Sequence, residues 1–205
     1  MLHIILTYIF LLDICLAIEI SEIQGNKWLS PFKGQQVTNI IGVVTAKDKL
    51  RGFYMQDPTP SHDPTRSSGI FVYTNTANVQ VGDTIRINSA IVSEYKNPLK
   101  KDANSGTQLT KSDKIEVLSV KNSVKPVRLE NVPSRVIYGS NPFSITDSLK
   151  SVEDLNAPLN LTRGLDYFES LEGMLVTILN PVAVSATSRY GGFWVSYIQS
   201  NLSLY

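Results

Sequence analysis

The chain has 205 residues, 42% hydrophobic and 18% charged, with 19 Lys and Arg against 18 Asp and Glu. A net charge of +1 excludes a polybasic protein that grips DNA by bulk charge, and the hydrophobic fraction excludes wholesale disorder. Two histidines and one cysteine exclude a cysteine-rich zinc site and an intrachain disulfide.

Residues 1–17 read as a cleaved secretory signal. The run Ile4–Leu12 is nearly all apolar but shorter than the roughly 20 residues a membrane span needs, and Asp13 interrupts it. Cys15 and Ala17 stand at the −3 and −1 positions of a cleavage site. The mature chain would begin at Ile18, carry no cysteine and have a net charge of +2. No membrane attachment is expected after its removal. Asn160-Leu161-Thr162 and Asn201-Leu202-Ser203 are N-glycosylation acceptors for a eukaryotic host, at Asn160 and Asn201.

From residue 35 to 120 the pattern is β. Val37–Ala46 is rich in β-branched residues, and Lys47-Asp48-Lys49 is a polar turn. Arg51–Gln56 is a second strand, and residues 59–69 form a surface loop. Ile70–Thr74 is the third strand. Thr84–Tyr95 is a long fourth, whose apolar phase blurs near Ser89 and so predicts a bulge or bend. After a polar loop over 96–106, a fifth strand pair is expected in Thr107–Thr110 and Lys114–Val120. Such closely spaced strands without an amphipathic helix predict a small barrel or sandwich, and the long bent fourth strand fits a five-stranded Greek-key barrel of the OB type.

Residues 121–146, with three prolines, read as an extended connector. Beyond them, 147–205 reads as a partial α+β extension, either packed on the barrel or the front part of something longer. A short helix is expected over Asp147–Leu155 with Asp147 as N-cap, and a helical turn or two over Leu165–Leu171. Strands are expected over Gly173–Val184 and Gly192–Tyr197. The domain plan is therefore signal 1–17, barrel 18–120, connector 121–146 and extension 147–205. The overall class is all-β with short helices and two or more further strands in the extension.

Several strings occur in a telling order: Ile20-Ser21-Glu22-Ile23-Gln24-Gly25, Ser30-Pro31-Phe32-Lys33-Gly34-Gln35, Gly52-Phe53-Tyr54-Met55-Gln56-Asp57-Pro58 and Ser68-Gly69-Ile70-Phe71-Val72-Tyr73. Val81-Gly82-Asp83, Ser93-Glu94-Tyr95, Thr107-Gln108-Leu109-Thr110 and Leu171-Glu172-Gly173-Met174-Leu175-Val176 continue the series. Together, over roughly residues 19–195, they resemble the OB-fold region that precedes the endonuclease/exonuclease/phosphatase domain of large secreted nucleases. The resemblance implies an OB fold and a place beside a downstream nuclease domain. It does not carry the family's metal-dependent chemistry, because His62 is the single histidine left after residue 17 and no GDxN or SDHxP string is present.

Candidate sites follow from strand alternation. Phe53, Met55, Ile70 and Val72 are assigned to the core, leaving Tyr54, Phe71 and Tyr73 outward near Arg51, Arg86 and Lys49. Aromatic rings beside cations suit base stacking and phosphate contact. Lys96, Lys100 and Lys101 could extend a positive groove, although Asp102 beside them suits an ordinary solvated loop. The expected nucleic-acid face is thus Arg51, Tyr54, Phe71, Tyr73, Arg86 and Lys96, with single-stranded or duplex DNA as partner. The same face would equally suit packing against a partner domain, or an oligosaccharide. Asp57, His62 and Asp63 offer too few ligands for a calcium site. Glu169 and Glu172 read as a solvated helix face. No cofactor is expected, and the expected function is that of a secreted, noncatalytic module presenting nucleic acid.

Overall fold

The computed structural model describes residues 17–48, 51–98, 104–129, 132–133, 152–187 and 193–196. The expected signal segment, Lys49, Lys100, Lys101, Asp147 and Asn201 lie outside the described residues. Five strands carry the fold: β1 (Gln36–Asp48), β2 (Gly52–Gln56), β3 (Gly69–Tyr73), β4 (Thr84–Tyr95) and β5 (Gly106–Ser119). They pair in the order β1-β2-β3-β5-β4, and β4 returns to β1 to close the sheet. All pairings are antiparallel except β3 with β5. The mainly β expectation holds, and the strand bounds agree with the sequence pattern to within two residues for β1 to β4.

Alternation fixes which face is buried. Phe53 and Met55 of β2, Ile70 and Val72 of β3, and Ile85 and Ile87 of β4 all point inward with almost no exposure. In the β4–β5 ladder the register shifts between Ser89 and Ile91, where the apolar phase blurs. The fifth segment differs from expectation. The polar stretch Lys111-Ser112-Asp113-Lys114 does not end a strand. Lys111 and Lys114 take positive φ of 50° and 46°, and the chain stays paired to β4 through Ser89↔Asp113 and Ile87↔Ile115. One bulged strand replaces the expected pair.

A short helix, α1 (Ile20–Gln24), adds Ile20 and Ile23 to the same core. Its first turn is held by a residue far along the chain. The Asp57 carboxylate accepts the Ile20 N–H at 2.9 Å and the Ser21 N–H at 3.0 Å. Asp57 is therefore more than a turn residue: it clips α1 to the end of β2. Burial pushes its carboxyl up to about 7, and the two N–H bonds pull it back only part way. The folded state thus keeps a proton that the unfolded chain releases near pH 4. Stability from this group is full in acid and is lost as pH rises toward about 7. Asp57→Asn is expected to flatten that part of the stability-against-pH curve in urea titrations. A slope unchanged by the substitution would contradict this.

The rest of the described chain is made of small pieces: β6 (Val127–Arg128), a 3-10 turn (Val152–Leu155), α2 (Gly164–Glu169), β7 (Val176–Thr177), β8 (Val182–Ala183) and β9 (Val195–Ser196). The expected strand over Gly173–Val184 is broken at Asn180, which has φ of 46° and precedes Pro181. Its first part, β7, pairs in parallel with β6, so the expected connector supplies a strand. Its second part, β8, pairs with β9. Among the described residues no helix is long and apolar enough to cross a membrane.

Candidate nucleic-acid interface

Tyr54 and Phe71 stand opposite each other in the β2–β3 ladder, with ring centroids 4.9 Å apart and planes tilted by 54°. Tyr73 lies one step along β3, opposite Gly52, and is 53% exposed. Tyr95 at the end of β4 is 47% exposed and sits in register with Gly106. These four rings line a groove of about 720 Å³. Its floor and far side come from Gly106, Thr107, Gln108, Thr110 and Lys111 of β5, and its ends include Asp48, Arg51, Glu172 and Gly173. β3 and β5 meet directly beneath it, through Phe71↔Gln108 and Val72↔Leu109.

The cations do not gather as the sequence suggests. Arg51 is at the groove, but its Nε and Nη2 bond the Asp48 carboxylate at 3.1 and 3.0 Å. Arg86 is outward but is not in the groove. It stands opposite Ile41 and Glu116, eight residues along β5 from Gln108, and its guanidinium is 4.0 Å from Glu116. Lys96 is exposed one residue beyond Tyr95 and does not line the groove. Lys111, which sequence reasoning missed, does. Among the described lining residues, the carboxyls of Asp48 and Glu172 stand with the cations Arg51 and Lys111. Burial is the main reason the Tyr54 hydroxyl is pushed above its ordinary value, with Asp48 adding to it.

The loop candidates separate. The Asp63 carboxylate accepts the Thr65 N–H and hydroxyl at 2.9 and 2.6 Å, which lowers its pKa from the ordinary value. His62 is exposed, and no metal-ligating cluster occurs among the described residues. Asn160 is exposed, with its side-chain oxygen accepting the Thr162 N–H and hydroxyl.

Glu169 and Glu172 do not form a solvated helix face. α2 and the turn after it form a strap against the barrel end. Ser67 Oγ donates to the Glu172 carbonyl, and the Glu172 carboxylate accepts the Thr107 N–H at 3.2 Å. Gln56 accepts the Leu175 N–H at 2.9 Å. Burial first and neighbouring carboxylates second push Glu169 up to about 9; burial pushes Glu172 up to about 7 against the Thr107 N–H and Gln24 hydrogen bonds, which pull it down. No local pattern in 164–174 announces this, because the groups that bury these carboxyls lie on α1, β4 and β5.

Residues 127–202 match the model of a family described as a domain of unknown function (DUF8508). No curated protein and no solved structure matches the chain.

Proposed function

We propose that this is a secreted, noncatalytic OB-type module that holds single-stranded nucleic acid by stacking bases on Tyr54, Phe71, Tyr73 and Tyr95. The observation that carries the reading is the groove itself. Four rings converge on one opening of a five-stranded closed sheet, across strands β2 and β3 and beside the loops after β1 and β4. OB barrels take oligonucleotides and oligosaccharides across that combination of strands and loops. The Greek-key OB assignment rests on the same strand order. In the family suggested by the sequence strings, such a module would present DNA to a downstream nuclease domain.

The electrostatics reshape the expected mechanism. Among the described residues the cations lining the groove are Arg51 and Lys111, so stacking is assigned most of the affinity. Binding of a short oligothymidylate is therefore expected to depend weakly on salt, with a log–log slope near −1.4 for two contacts at about 0.7 each. Tyr54→Ala is expected to weaken it by about 1–3 kcal/mol, roughly 5- to 150-fold. Fluorescence anisotropy reads both. Absence of binding even at low salt would sink the proposal.

One observation favours a second reading. Asp48, Glu172 and Gln108 beside aromatic rings also suit the hydroxyls of a neutral oligosaccharide. Binding of a neutral oligosaccharide, lost in Tyr54→Ala and absent for oligothymidylate, would select it.

A further inference from the structure

We propose that the strap over residues 164–174 is a pH-released wall of the groove: protonated carboxyls hold it on the barrel, and their deprotonation lets it leave. The proposal deepens the nucleic-acid reading, since the wall it moves belongs to that groove, but the strap's release can be measured without any ligand.

The seam between strap and barrel is built from carboxyls. Glu94 of β4 accepts the Ser30 N–H at 2.8 Å and the Thr107 hydroxyl at 3.1 Å. Glu153 of the 3-10 turn accepts from the Ser105 N–H and hydroxyl. Asp166 of α2 accepts Trp28 Nε1 at 2.9 Å and the Asn160 N–H at 2.9 Å, and Arg163 lies 3.7 Å from it. Burial, and then the charges of Glu172, Glu94, Glu153 and Asp166, push the Glu169 carboxyl up. Glu172 faces Glu94, Gln24 of α1 and the Thr107 N–H. Across the groove from it stand Asp48, Arg51, Tyr54 and Lys111. Among the described residues, no Lys or Arg lies within 4.0 Å of Glu94, Glu169 or Glu172.

A seam of this kind cannot hold every carboxyl ionised. Glu94 already accepts from the Ser30 N–H and the Thr107 hydroxyl, and no described cation stands beside it. Glu169 and Glu172, both partly buried against it, dock best with a proton. A released strap returns them to water, where they ionise near their ordinary value. Docking therefore binds protons that release gives up. It is unaffected below the ordinary glutamate range and weakens above it, by up to tenfold per pH unit for each proton held, until the docked groups themselves ionise. The last part of that window lies between about pH 7 and about 9. Glu172 and Gly173 line the groove, so release removes one of its walls.

Trp28 reports the event. It is buried against Val152, Leu159 and Leu165, whereas the second tryptophan, Trp194, is 78% exposed. In full-length Trp194→Phe protein, Trp28 emission is expected to shift red between about pH 6 and about pH 9. Hydrogen exchange over 160–175, corrected for intrinsic rates, is expected to rise while β1 stays protected. Glu169→Gln, which mimics the protonated carboxyl, should keep the strap protected in alkali. Equal strap exchange at both pH values would overturn the proposal, as would a Glu169→Gln protein that releases like its parent. Should that variant not fold, the pH series on the Trp194→Phe chain decides alone. Short oligothymidylate on the same samples is expected to bind more weakly once the strap is released. If it binds at no pH, the nucleic-acid reading fails while the strap measurements still stand or fall on their own.

Discussion

Phe53→Ala is expected to cost about 3–5 kcal/mol of folding stability, the largest single effect in the barrel. Phe53 is 2% exposed and the bulkiest of the fully buried side chains. It is paired with Lys47 on β1 and Val72 on β3. Removing the ring leaves a cavity that neighbours on several strands would have to fill, and a closed sheet relaxes poorly because every strand is paired on both sides. In urea the midpoint should fall while the slope stays constant, the mark of a change in stability rather than in the unfolded state. A cost under about 1 kcal/mol would mean the barrel interior is not packed around Phe53.

Gly69→Ala is the second large effect, and it is selective. A Cβ at Gly69 would lie 2.5 Å from the Gly173 carbonyl oxygen and 2.5 Å from the Met174 nitrogen, with the Gly173 carbonyl carbon also too close. These are backbone atoms, so no side chain can swing aside. Either β3 or the strap must shift, and β3 is held by β2 and β5. The strap should therefore lift, at a cost of about 1–3 kcal/mol. Trp28 emission should shift red and peptides over 160–175 should become protease-sensitive, with the barrel intact. Strap peptides protected as in the parent would contradict this.

The barrel was legible because its signals are local. Alternation in Gly52–Gln56 and Gly69–Tyr73 separates Phe53, Met55, Ile70 and Val72 from Tyr54, Phe71 and Tyr73, and burial follows that division. The lost phase near Ser89 marked a real register shift. What failed depended on distance in sequence. Outward on a closed sheet means any direction around it, so alternation placed Arg86 on the surface but could not say which side. α1 has five residues, too few for a period to register, and its anchor Asp57 lies 36 residues from Ser21. The break at Asn180-Pro181 was visible in the sequence but was outweighed by the apolar run around it. Glu172 enters the groove only because the strap crosses Gly69, where the absent side chain leaves room for it.

The parallel junction of β3 and β5 has a mechanical consequence. It rests on two register pairs, whereas β4 and β5 share ten. A ring under load parts at its shortest joint, and here that joint is Phe71↔Gln108 and Val72↔Leu109. Phe71 and Gln108 are both groove residues, so an occupant of the groove touches both edges of the joint. Such an occupant would act as a rivet, and the force needed to pull β3 from β5 would report whether the groove is filled.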